Sequence, residues 1–424
     1  MANFKYHRLP DTHDIYPHAE KWEDDSIRWN YLEEIWRDVC RIYGYEEIRT
    51  PMFEATELFK RSIGDGTDIV NKEMYTFEDA GKRSNTLRPE GTASTLRAYL
   101  QNGIYARGGT AKLYYINEHF RYERGQRGRY RQHTQFGIEA LGADDPALDA
   151  EVIELMIAFF RRAGVLRFNV KINSVGSTAS RAAYVGALKD YVEPFLAEFG
   201  DDGKARFANN PLRMLDTKNP RELEILADAP KLTGYLLPDE REHFEAVLGY
   251  LADAGITCEI DPYLVRGFDY YTKTAFEVQS PDLGAQNALG GGGRYNKLVE
   301  DLGGPPTPGI GFGMGVERVL IALQELGVDM PLPPGPTAFV VTLGDAGKAG
   351  IKLLADLRAA GIPAEVEYGG RSMKAQMRGA NDSKAKYALI LGDDEVAAGI
   401  VQLKNMADSS QEAVAMGEII ARLS

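Results

Sequence analysis

Two groups of basic residues interrupt an acidic chain of formal charge −13: residues 121–131, with Arg121, Arg129 and Arg131, and residues 371–386, with Arg371, Lys374 and Arg378. Grouped guanidinium and ammonium ions are what a phosphate or carboxylate needs. A charge run is equally a solvated face, so each group requires a second reason. Glycine supplies one kind of reason. The run at 290–293 and the alternating glycines of GIGFGMG at 309–315 are either flexible turns or stretches where a backbone passes close beneath a small ligand.

Several chemistries are absent. No G-x-x-x-x-G-K-[ST] occurs, and the glycines of GIGFGMG do not fit G-x-G-x-x-G, so nucleotide binding would use a device other than a P-loop or a dinucleotide fold. There is no G-x-S-x-G and no H-E-x-x-H, and the six histidines lack ligand spacing. The two cysteines, Cys40 and Cys258, cannot build a disulfide framework or a cysteine-rich zinc site and read as buried thiols. No signal-peptide core or membrane-length apolar run is present, so a cytoplasmic protein without a membrane partner is the expectation.

The elements that must position these residues follow from periodicity. From Lys21 to Ile42, Ile27, Tyr31, Ile35 and Val39 recur at helical spacing, joined by Trp29, Leu32 and Trp36. YEEIRTPMFE then reads as extended, since Pro51 disfavours helix before it. The basic residues 121–131 lie between two β-type segments and predict a long flexible loop. Residues 176–255 turn helical and charged and read as an inserted domain, and GIGFGMGVERVL predicts a strand entering a helix near Gly315. PLPPGP at 331–336 reads as a stiff linker. Beyond it TAFVVTL, AEVEY, YALILG and IVQLKNM alternate with helical patterns, which predicts a small α/β domain over 337–424.

TLRPEGTASTLRAYL, FRYERGQRGRYRQHTQFGIEALG, LVRGFDYYTKTAFEV, LGGGGRYNKLVEDLGG and GIGFGMGVERVL stand in the order and spacing of the histidyl-tRNA synthetases, which the chain resembles over almost its whole length. THDIYP, NPLRMLDTK and RSMKAQMRGAN are weaker echoes of the same pattern. The resemblance implies a class II architecture: an α+β catalytic domain over 1–330 with an antiparallel sheet flanked by helices, a helical insertion over 176–255, and an α/β anticodon-binding domain over 337–424. It implies activation of L-histidine by ATP, transfer to histidine tRNA, magnesium with the nucleotide, and a homodimer whose interface involves the YGYEEIRTP strand and its preceding helix.

Such a reaction brings a carboxylate to a phosphorus atom between anionic oxygens, and the planar arginine fork suits both groups. By resemblance, Arg121 holds the α-phosphate, Glu123 reads the adenine, Arg129 lies over the triphosphate, and Arg318 contacts the γ-phosphate. Arg266 in LVRGFDYY would bridge substrate carboxylate and α-phosphate, making Arg266 and Arg121 the catalytic pair. The histidine pocket would comprise Glu139 and Tyr271 facing the imidazole, Glu90, Thr92 and Gln135 about the ammonium, and Gly91, Tyr270 and Tyr295 completing the site. Arg371, Lys374 and Arg378 would meet tRNA, a solvated basic helix being the competing explanation.

Gly125, His133 and Asn296 depart from the family's usual proline, phenylalanine and aspartate. The rival reading is a histidine-sensing regulatory paralogue of ATP phosphoribosyltransferase, from which the retained arginines and the last domain distinguish this chain.

Overall fold

The computed structural model describes residues 5–64, 67, 69–265, 270–281 and 287–424. The chain divides into two compact units, Met1–Met330 and Pro331–Ser424.

In the first unit, helix α1 (Ser26–Ile42) leads into the short strand β1 (Glu46–Glu47). The helix starts at Ser26 rather than Lys21 because Trp22–Asp24 is a 3-10 turn and the Asp25 carboxylate then accepts the Ile27 N–H at 3.2 Å. Its buried stripe is Trp29, Leu32, Trp36, Val39 and Cys40, while Ile27, Tyr31 and Ile35 are half-buried at its margin. The indoles take the core face, where Trp36 stacks on Phe136 with ring centroids 5.4 Å apart.

Strands β2 (Phe53–Ala55), β3 (Thr76–Glu78) and β4 (Ser84–Leu87) form a separate antiparallel sheet beside α2 (Thr56–Ile63) and α3 (Thr92–Gln101). Then β5 (Ala111–Phe120) and β6 (Gln132–Leu141) pair unbroken from Ala111↔Leu141 to Phe120↔Gln132. Between them, residues 121–131 are pinned by Arg121 N–H to Arg131 carbonyl at 2.9 Å and Arg131 N–H to Asp11 carbonyl at 2.8 Å. Helix α4 (Pro146–Ala163) and strand β7 (Asn169–Ser174) precede the helical stretch α5 (Thr178–Val192), α6 (Asp201–Asn209), α7 (Pro220–Ala227) and α8 (Pro238–Asp253). Tyr184, Leu188, Met214 and Leu226 give that stretch a small core of its own, whereas Phe244, Val247 and Leu251 of α8 join the main core.

The unit closes with β8 (Cys258–Ile260), β9 (Thr272–Gln279), β10 (Ala288–Arg294), α9 (Leu298–Asp301), β11 (Gly309–Gly315) and α10 (Val316–Glu325). The eight-stranded sheet runs β1-β5-β6-β11-β10-β9-β7-β8; its central strands are antiparallel and only the outer pairs β1/β5 and β7/β8 are parallel. Strand periodicity sorts its faces. Phe136 and Ile138 of β6 and Ile310, Phe312 and Met314 of β11 enter the core with α1 and α4. The opposite face carries Gln135, Gly137 and Glu139, paired with Gly315, Gly313 and Gly311.

The second unit is built from β12 (Ala338–Thr342), α11 (Gly347–Ala359), β13 (Ala364–Val366), α12 (Met373–Asp382), β14 (Tyr387–Leu391), α13 (Asp393–Ala398), β15 (Ile400–Asn405), β16 (Gln411–Ala415) and α14 (Ile419–Leu423). Its sheet order is β13-β12-β14-β15-β16, parallel through the first three strands and antiparallel beyond. The expected strands are present, and β16 is an addition whose largely exposed QEAVA sequence shows no clear alternation.

Candidate active site

A cavity of about 530 Å3 opens over the glycine-bearing face of the large sheet. Glycine is required there by close approach. A Cβ on Gly137 would lie 2.3 Å from the Tyr115 ring, and one on Gly311 would lie 2.2 Å from Glu139 Oε2. The strand pairing therefore leaves a trough in which side chains from distant segments meet.

At one side, Glu90 and Gly91 lead into α3 at Thr92, and all three line the cavity. The Glu90 carboxylate accepts the N–H groups of Thr92 at 2.6 Å and Ala93 at 2.8 Å, so it anchors the helix start while its burial pushes its pKa up. Gln135 projects from β6, and Tyr270, Tyr271 and Tyr295 form an aromatic wall, with centroids 4.7 Å apart for Tyr270 and Tyr271 and 5.8 Å for Tyr270 and Tyr295.

Glu139 sits immediately behind this wall, fully buried. Its carboxylate is ringed by hydroxyl donors: Thr92 at 2.8 Å, Tyr115 at 3.4 Å, and Tyr295. Burial pushes Glu139 up to about 8, with nearby Glu90 adding to the rise and the hydroxyl groups opposing it. An N–H-bearing or cationic ring set against this group favours its ionised form.

The opposite end is cationic. Arg121 and Arg129, from the β5–β6 connection, and Arg318 on α10 line the same cavity. Arg121 Nε donates to the Pro89 carbonyl at 2.7 Å, and Arg318 donates to the carbonyls of Gly128 at 3.1 Å and Ala288 at 3.0 Å. Glu123 lies 3.8 Å from Arg121 and 3.4 Å from Arg129. Burial first, then repulsion from Arg129 and Arg121, lowers the pKa of Arg318. Guanidinium groups held together at that cost form a place for anionic oxygens.

Arg266 lies outside the described residues. Arg371 precedes α12, Lys374 and Arg378 lie on it, and all three are exposed in the second unit.

The departures acquire physical roles. A Cβ at Gly125 would collide with the Asp11 carboxylate, which pairs with Arg131 at 3.1 Å, so glycine allows that approach. His133 is half-buried, and desolvation with Arg121 and Arg318 nearby pushes it down to about 3; the family's uncharged phenyl ring is thus replaced by an uncharged imidazole. Asn296 donates to Asp144 at 3.1 Å and accepts from Arg294 at 3.3 Å.

Sequence reasoning missed several residues of the cavity wall. Tyr115 and Tyr130 carried no motif signal beyond the general pattern of their strand and loop. Arg213 reaches the cavity from the helical stretch, where NPLRMLDTK marked the segment but not the residue. Arg294, fully buried, pairs with Asp149, which also accepts from His243 at 2.9 Å and Thr274 at 2.5 Å. That network joins α4, α8, β9 and β10. Cys40 is buried but Cys258 is only half-buried, since β8 is an edge strand.

A largely antiparallel sheet that gathers arginines over one face, instead of a parallel sheet with a phosphate loop, is the arrangement of the class II aminoacyl-tRNA synthetases, and fold and site together define this class. Residues 20–319 match the family described as histidyl-tRNA synthetase, and residues 337–424 match the anticodon binding domain. The chain belongs to the histidyl-tRNA synthetase family. It is 50% identical over 399 residues to the histidine–tRNA ligase of Desulforudis audaxviator, covering 94% of this chain and 95% of that one. The histidine–tRNA ligase of Anoxybacillus flavithermus is 47% identical, with 97% of each chain covered. The crystal structure of apo histidyl-tRNA synthetase from S. aureus superposes with a TM-score of 0.83 at 38% identity, covering 99% of both chains.

Proposed function

We infer that the chain is a histidine–tRNA ligase, which forms histidyl-adenylate and pyrophosphate from histidine and ATP and then transfers histidine to the 3′ end of histidine tRNA with release of AMP. One observation carries this reading: Arg121, Arg129 and Arg318 converge in the cavity that is also backed by a buried, hydroxyl-ringed Glu139. In the first step an oxygen of the histidine carboxylate bonds to the α-phosphorus as the bond to the bridging α,β-oxygen breaks and pyrophosphate leaves. Arg121 would hold the α-phosphate and Arg318 the γ-phosphate, with Arg129 over the triphosphate and Glu123 at the adenine. Arg266 would span carboxylate and α-phosphate, a role it takes from the family resemblance.

Glu139 with Tyr271 would take the two imidazole nitrogens, Glu90, Thr92 and Gln135 the ammonium, and Gly91, Tyr270 and Tyr295 the remaining walls. A pocket whose polar groups need an imidazole rejects apolar analogues, because those groups would be left unpaired. Magnesium would arrive with ATP, held mainly by phosphate oxygens and water. Among the described residues no group of three carboxylate, histidine or cysteine side chains could cage a metal. The cavity's Glu73 and Glu277 would suffice for the one or two protein ligands such an ion takes.

A homodimer in the cytoplasm completes the proposal. Exposed Met52 and Phe53 follow the edge strand β1, and Phe53 meets exposed Phe77 with centroids 6.0 Å apart, an apolar surface that a second copy would cover. No helix among the described residues is long and apolar enough to cross a membrane. The test is ATP–pyrophosphate exchange: it should depend on histidine, and exchange that is absent, or driven equally by another amino acid, would overturn the reading.

A further inference from the structure

The second unit holds three aromatic residues: Phe339 is buried, Tyr387 is half-buried, and Tyr368 is 67% exposed. One exposed phenol is ordinary. Its surroundings make it a built feature. Gly369 and Gly370 follow with φ of +92° and +63°, and a Cβ on either would meet nothing within 4 Å, so the chain turns sharply there and leaves open space beside the ring.

The turn is not slack. Buried Gln376 donates Nε2 to the Arg371 carbonyl at 2.8 Å and to the Thr342 carbonyl at 2.7 Å, and accepts the Thr342 N–H at 2.9 Å, which ties the segment to β12. Arg371 also pairs with Glu367 at 3.2 Å. Arg371, Lys374 and Arg378 are all exposed; Arg371 stands just before α12, and Lys374 and Arg378, four residues apart on it, lie along one side of the helix.

We propose that Tyr368 is a stacking platform for one unpaired base of bound tRNA, with Arg371, Lys374 and Arg378 neutralising the phosphates on either side of that base. The proposal rests on the reading of this unit as the tRNA-binding one. An exposed aromatic face followed within a few residues by grouped exposed cations is matched by a polymer that presents splayed bases and closely spaced phosphates together, namely single-stranded RNA. Tyrosine and arginine also suit protein interfaces, and the match of residues 337–424 to the anticodon binding domain is what favours RNA.

The test uses the full chain and steady-state charging of histidine tRNA, alongside transcripts made abasic at single anticodon-loop positions. Tyr368→Ala raises KM for tRNA roughly 5- to 100-fold, while Tyr368→Phe keeps it within about twofold, since the phenyl face still stacks. On the transcript lacking the stacked base, the alanine variant and the unsubstituted chain converge on the same KM. An unchanged KM for Tyr368→Ala overturns the proposal, and so does a loss of equal size on every abasic transcript. Thermal melting of both variants separates loss of a contact from loss of fold.

A third variant, with Arg371, Lys374 and Arg378 all changed to glutamine, reads the underlying assignment separately. If it weakens tRNA binding and flattens the salt dependence while Tyr368→Ala does nothing, stacking alone fails. If it too leaves binding and salt dependence unchanged, the tRNA-binding reading of the unit falls with it.

Discussion

Two sets of cations in this chain differ in their environments. Arg121, Arg129 and Arg318 line one cavity, where burial and mutual repulsion lower the pKa of Arg318; Arg371, Lys374 and Arg378 stand in solvent on and before α12. Low dielectric makes the partly buried charge of Arg318 strong and intolerant of substitution, while water reaches Arg129 and, with salt, screens the exposed second set. The first arrangement suits a small anion held at fixed geometry. The second suits a long polyanion gripped through many weak contacts, each nearly additive.

Substitutions sharpen this contrast, beginning with the largest expected effect. Arg121→Gln should lower kcat for histidine-dependent ATP–pyrophosphate exchange by roughly 100- to 1000-fold, the loss found when a preorganised donor to developing charge is removed. A loss below about tenfold would place the α-phosphate elsewhere.

Glu139→Gln should lower kcat/KM for histidine by roughly 10- to 100-fold, the worth of one hydrogen bond to a charged group. It should also change stability in a defined direction. Because Glu139 is raised to about 8 from an ordinary 4.5, the folded chain binds more protons than the unfolded one between those values. Its contribution to stability is therefore present at low pH and is lost as pH rises toward about 8. Glutamine removes this term, so thermal melting of the variant should gain on the parent chain as pH rises through that window, and parallel melting curves would show that Glu139 ionises normally.

Gly137→Ala places a methyl group 2.3 Å from the Tyr115 ring and should cost about 1–3 kcal/mol in thermal or denaturant unfolding. A cost near zero would mean that Tyr115 swings aside freely. The smallest single effects should come from the exposed group: Lys374→Gln or Arg378→Gln should weaken tRNA binding by a few-fold at most and lower the slope of log K against log salt by about 1 each. A slope unchanged by either would remove that side chain from the phosphate contacts.

Much of the fold was legible where a period was long enough to read. GIGFGMG alternates through a full strand, so its entry into a helix could be read directly, and β11 running into α10 follows it. Strands β2, β3 and β4 are too short to show alternation. Helix α4, with apolar residues buried on several sides, lacks the polar face by which a helix is noticed. In α1 the spacing admitted two adjacent stripes, and only packing against Phe136 and Phe159 decided that the tryptophans face inward.

The residues of the site were named from the resemblance of ordered motifs to the histidyl-tRNA synthetases, with the reaction's chemistry agreeing with their types. Tyr115, Arg213 and the Asp149–Arg294 pair were not, since each acts through partners remote along the chain. Local periods thus determined the helices and longer strands, residue types marked the charged groups, and the order of the motifs carried the resemblance that implied the chemistry. Tertiary structure alone decided which charges lose their water. Only burial distinguishes Arg318, partly stripped of water in the cavity, from an arginine in solvent, or lifts Glu139 to about 8, because desolvation depends on everything the fold packs around a group and on almost nothing beside it in the chain.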